Sequence, residues 1–202
     1  MPRSRTLLPL LVALPALVVA GLGLLHPVFL TPDTAERWRL AHLLLLPAFP
    51  LVGGAVWFVL RGERGPAAWA ARIAAFAYAV LYGALDSIAG IGAPHQVIRA
   101  DERGEPGPNL GDVFEIGDAL GRLGVYALAV ALLLAGGVLW LRTRSPYALL
   151  GALVGAASCY PFLRHHVFPP RGVLAMLGIA VGLALLELSR QRRSSAISSP
   201  GP

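Results

Sequence analysis

The run LLPLLVALPALVVAGLGLL, residues 7–25, carries no charged side chain. A helix of about 20 apolar residues covers the hydrocarbon core of a bilayer, so this stretch is a membrane span by length and composition. Arg3 and Arg5 precede it, as they would in a secretory signal. The apolar run is longer than the roughly 7–15 residues of a signal's hydrophobic region, and no small-residue cleavage site follows. A retained helix is expected.

Five more apolar stretches lie outward from it, at 40–60, 73–92, 119–141, 146–163 and 172–188. The last two are near the lower length limit for a span. What remains is divided among short loops and tails, with no room for a soluble domain. The expected fold is all-α: one polytopic bundle of six transmembrane helices over 1–188, then a disordered cytoplasmic tail, 189–202. Composition agrees, since hydrophobic residues make up 56% of the chain and charged residues 14%, with mean hydropathy +0.66. Soluble domains carry about 25% charged residues.

All seventeen basic residues are arginine. The absence of lysine excludes a Schiff-base lysine and a Walker A loop. The single cysteine, Cys159, excludes an internal disulfide and a cysteine-based zinc cluster. The net charge of +6 reads as basic loops at a membrane surface; no nucleic-acid partner is expected.

Several helix ends are punctuated. Thr31-Pro32 and Ser145-Pro146 pair an N-cap residue with proline at the first helical position. Asp112 and Glu115 have capping-box spacing and would start the fourth span's helix early. Pro47 and Pro50 should kink the second span. The segment 93–118 reads as a long acidic loop. Gly117/Gly121, Gly151/Gly155 and Gly178/Gly182 have the small-x-x-x-small spacing of close helix contact. They suit packing inside the bundle or, as the alternative, a homo-oligomer or membrane partner.

Six spans place both termini on one side. Set in the cytoplasm, that side gathers ten of the seventeen arginines, as the positive-inside rule requires. Trp57 and Trp140 then suit the inner interface and Trp38 the outer. Glu187 would pair with Arg190 or reach water. The expected location is the inner (plasma) membrane of a bacterium, multi-pass.

With that orientation all five histidines fall towards the outer face. Histidine is a frequent metal ligand and a haem ligand, so His42, His95, His165 and His166, with Glu115, are the candidate metal ligands. His42 anchors the set because it lies within a helix. Only one of the adjacent His165 and His166 can point inward. His26 is the weakest member, because Pro27 directs the chain away from helix. Asp86 would lie beside the site as an orienting group.

Asp86 and Arg122 are ionisable residues at matched depth within spans, and such residues are usually paired or face a cavity. Tyr78, Tyr82 and Asp86 share one helical face; Asp118, Arg122 and Tyr126 share another. These stripes predict a polar network of Asp86, Arg122, Tyr82, Tyr126 and Asp118 in the outer half of the bundle, with Asp86 and Arg122 in contact or sharing that network. The function expected is an outward-facing polar pocket for a metal ion, haem or small ligand. A small transporter or channel component and a non-catalytic assembly partner are the alternatives.

Overall fold

The structure, a computed structural model, describes residues 3–197, with side chains from 7 to 191. Every regular element among them is helical: α1 (Arg3–Leu25), α2 (Pro32–Val59), α3 (Pro66–Leu85), a π-helical segment (Asp86–Gly92), α4 (Ala93–Glu102), α5 (Gly111–Thr143), α6 (Pro146–His165) and α7 (Arg171–Ile197). Six helices are long and apolar enough to cross a membrane, with α3, the π segment and α4 forming one of them, Pro66–Glu102.

The helices alternate in direction. One end of the bundle collects His26 after α1, His42 in α2, Asp86 and His166 after α6, which contact one another. The opposite end collects Arg61, Glu187 and Arg190, joined by hydrogen bonds. There Glu187 is fully buried and binds Arg61 through both oxygens, at 2.7 and 2.5 Å. Arg190 instead donates to the Arg61 carbonyl. The expected Glu187–Arg190 pair is thus replaced by Arg61, which the C-terminus of α2 delivers to α7. Nearby, Arg72 Nη2 donates to the carbonyls of Leu60 (2.6 Å) and Glu63 (3.0 Å), satisfying backbone acceptors where α2 ends.

Thr31 is the N-cap of α2, Pro32 opens that helix, and the Thr31 N–H donates to Thr34 Oγ1 at 2.9 Å. Ser145 and Pro146 hold the same two positions at the start of α6, without a side-chain cap bond. Helix α2 runs without a break through Pro47 and Pro50.

Three boundaries differ from expectation. The segment 93–118 is mostly helix, because α4 prolongs the third span and α5 starts at Gly111. Leu110 caps α5, so Asp112 stands in its first turn rather than at the cap. Helix α7 continues to Ile197, so most of the tail expected to be disordered is helical, and 198–202 lie outside the described residues. Ser189, at the start of this extension, is buried, and its hydroxyl bonds the Leu186 carbonyl one turn back in the same helix.

The glycines are spent on packing within the chain. A Cβ on Gly117 would meet Ala89 at 2.9 Å, and one on Gly151 would meet the Gly182 carbonyl at 2.8 Å. Gly121 closes on Leu85 and Gly178 on Ser158. The small-residue spacings at these positions seat α5 on the third span and α6 on α7. Trp38, expected at the membrane interface, is 6% exposed and packs among the histidines.

Candidate metal centre

Helix α2 turns a continuous face inward: Trp38, Ala41, His42, Leu45, Phe49 and Val52 are all buried. The i, i+4, i+7, i+11 rhythm of Trp38, His42, Leu45 and Phe49 is that of a core-facing stripe. His42 therefore points into the bundle and not towards solvent.

Across from it, the third span changes its winding at Asp86. The Ala93 N–H bonds the Ile88 carbonyl, five residues back. Pro94 supplies a local reason: it has no N–H and its ring crowds the preceding turn, so the α-helical register cannot continue unchanged. A widened turn of this kind inside a helix is frequently found at functional sites. Here it includes Gly90, whose missing side chain makes room for the His42 ring: a Cβ at Gly90 would overlap Nδ1 and Cγ of His42.

His26, His42 and His166 converge, one ring nitrogen from each lying within 4.8 Å of the others. Each Nδ1 is held from behind by an oxygen. His26 Nδ1 lies 2.6 Å from the Pro27 carbonyl. His42 Nδ1 lies 2.5 Å from Asp86 Oδ1. His166 Nδ1 lies 2.5 Å from the Tyr82 hydroxyl. The Pro27 carbonyl can only accept, so His26 carries its proton on Nδ1. With Asp86 ionised, the same holds for His42. A neutral imidazole has one N–H, and both Nε2 atoms are then lone pairs. They face each other at 2.8 Å. A metal ion or a shared proton would join them, and a protonated Asp86 would instead leave an ordinary N–H···N bond between the two rings. His166 adds a third Nε2, shut from solvent and without a hydrogen-bond partner.

Burial favours neutral rings at two of these positions. It pushes His26 down to about 4, assisted by neighbouring His42. It pushes His166 well below the ordinary histidine range, with His42 and His26 adding to the effect. Neutral imidazole is the form that binds a metal. An aromatic wall closes the cluster. His166 stacks parallel to His42 and to Tyr82, with centroids 5.6 Å apart in each pair. Trp38 and Phe168 meet His26 at 4.6 and 4.9 Å. His166 also holds a backbone conformation that side chains rarely adopt, φ 49° and ψ −131°. Strain of this sort costs on the order of 1–3 kcal/mol and gathers at functional sites.

A cavity of about 680 Å³ opens beside the cluster. His42 and His166 line it, with Trp38, Tyr82, Asp118, Arg122, Tyr126 and His165. His26 is not among the lining residues.

The sequence-predicted candidates divide accordingly. His42 and His166 come together; His95, His165 and Glu115 stay outside the cluster. His95 is exposed on α4, whose buried face is Ala93, Pro94, Val97 and Ala100. His165 is half-buried on the cavity wall, and Glu115 is exposed near the start of α5. The site residue missed is His26. Asp86 does not pair with Arg122, because its Oδ1 is taken by His42 in a pocket with no solvent access. Arg122 is exposed on α5, one position beyond the Gly121 face that packs on Leu85, and makes no ion pair among the described residues. The two stripes are thus separate: Tyr78, Tyr82 and Asp86 are buried behind the histidines, while Asp118, Arg122 and Tyr126 line the cavity.

No protein family matches this sequence, and no curated protein or solved structure matches it either.

Proposed function

We propose that this is a multi-pass protein of a bacterial inner membrane whose outward-facing cavity carries a divalent metal ion on His26, His42 and His166, with a further position open to the cavity. The observation that carries the reading is the arrangement of the nitrogens. Three Nε2 atoms are left over once each Nδ1 is engaged by an oxygen, and two of them face each other at 2.8 Å. Oxygen partners on the non-ligating nitrogen are the usual support of metal-binding histidine, fixing its tautomer and orientation. Three neutral imidazoles with an open position form a ligand set of catalytic zinc. Imidazole also suits copper, iron and nickel. Nitrogens converging on one point suit a single ion better than haem, whose iron takes protein ligands along its axis. Such an ion supplies a Lewis acid at the cavity wall. The chain's own contribution is to hold the imidazoles neutral, aligned and shielded by Trp38 and Phe168.

A second reading has one specific support. The 2.8 Å separation of His26 and His42 is also that of an N–H···N hydrogen bond. A single proton shared along Asp86, His42 and His26 would satisfy it. That reading gives His166 Nε2 no partner.

Elemental analysis of untagged protein separates the two. Metal binding predicts about one equivalent of a first-row metal per chain, lost in His26→Ala, His42→Ala and His166→Ala alike, since each removes one of three ligands. Metal-free wild type after purification in metal-replete buffer would reject the ion and leave the proton.

The orientation rests on the arginine distribution. Cysteine introduced at Glu105, exposed between α4 and α5, is expected to react with an impermeant thiol reagent on intact cells. The native Cys159 is buried and should stay silent. Labelling only after lysis would reverse the orientation.

A further inference from the structure

The cavity is built to receive more than water. Its volume of about 680 Å³ lies within the roughly 300–1,000 Å³ typical of small-molecule sites. Several donors among its lining residues have no acceptor or ion-pair partner. Trp38 is 6% exposed, and its Nε1–H, shut from solvent, has no acceptor. Indole can only donate. Arg122 and Arg164 also line the cavity, and neither makes an ion pair among the described residues. Guanidinium likewise only donates. Asp118, one helical turn before Arg122, is the single carboxylate on the wall, so the fixed charge there is positive. The remaining surface is apolar, from Val28, Phe29, Leu85, Val125 and Leu163. Phe29 is 76% exposed in the link between α1 and α2.

A wall of unpaired donors beside a hydrocarbon lining calls for a ligand with an acceptor-only, negatively charged head and an apolar tail. We infer that the cavity binds a single-chain anionic amphiphile, with its carboxylate head on Arg122 and Arg164 and its tail along the apolar wall. This rests on reading the cavity as the open side of the histidine site. His42 and His166 line the same cavity. Arg122, which the expected ion pair would have given to Asp86, is the specificity-determining residue, and its exposure leaves it free to turn to a ligand.

The test is equilibrium binding of labelled laurate to the full chain in bilayer discs of neutral lipid. Wild type should bind laurate at least tenfold more tightly than acetate or dodecyltrimethylammonium. Arg122→Gln should lose tenfold or more, and Arg122→Lys should retain affinity within about threefold. Because Arg122 is exposed, these variants keep the fold. Arg164→Gln should weaken binding severalfold through the lost charge. The same titration on His26→Ala separates this inference from the metal reading. Laurate binding that persists there and still depends on Arg122 supports the amphiphile site whatever the metal content. Binding that vanishes in His26→Ala and ignores Arg122 in wild type would mean that the carboxylate is held by the metal alone, and would overturn the inference. Equal affinity for acetate would overturn the role of the tail, and equal affinity for the cationic amphiphile that of the charge.

Discussion

Gly90→Ala is expected to abolish metal binding as completely as His42→Ala, although residue 90 offers no ligand. A methyl group there would occupy the space of His42 Nδ1 and Cγ. The ring cannot slide aside in place, because Asp86 lies 2.5 Å from Nδ1 and His26 lies 2.8 Å from Nε2. It must leave its rotamer or push the π segment outward, and either movement takes one of three ligands away. Gly83→Ala on the same span is the control, since nothing lies within 4 Å of its Cβ position. Metal content near one equivalent in Gly83→Ala and near zero in Gly90→Ala is the predicted pair of results. Full metal content in Gly90→Ala would mean that His42 is not a ligand.

The largest loss of stability is expected at the opposite end, from Arg61→Ala. Glu187 is fully buried, and Arg61 is its ion-pair partner. Removing one member of a buried pair typically costs about 3–5 kcal/mol, because the other charge is left uncompensated. The two partners are unequal. The Arg61 side chain keeps 32% of its exposure, whereas Glu187 has none. Arg61→Ala strands a carboxylate in the bundle; Glu187→Gln leaves a guanidinium that can reach water. Thermal unfolding in detergent should show Arg61→Ala as the more damaged of the two, with metal content per folded chain unchanged in both. Equal destabilisation would mean that Glu187 finds another cation or takes up a proton at little cost.

The two ends of the bundle were not equally legible in the sequence. Six spans follow from apolar length alone, because a bilayer imposes that length on any helix crossing it. His42 and His166 were legible as candidates for the same reason: span ends set their depth. His26 was discounted on Pro27, yet the proline carbonyl is what holds its ring. Two signals together could have recovered it. Thr31-Pro32 starts α2 ten residues before His42, so the helix descends about 15 Å to reach that depth. The link from His26 to Thr31, if extended at roughly 3.3 Å per residue, climbs a similar distance. A hairpin of that shape returns His42 to the level of His26. The Asp86–Arg122 pairing failed on azimuth rather than depth, since matched depth says nothing about which face a helix turns inward. The π segment adds a local rotation that no 3.6-residue pattern contains. Pro94 was its visible mark.

X-ray absorption at the zinc K edge, on protein carrying one equivalent of zinc, tests the central claim most directly. The account predicts three imidazole nitrogens at about 2.0–2.1 Å, with the outer-ring scattering of histidine and one further light atom. His26→Ala should lower the imidazole count by one or fail to retain the ion. A shell of oxygens without imidazole scattering, unchanged in His26→Ala, would place the zinc elsewhere and contradict a metal centre built from His26, His42 and His166.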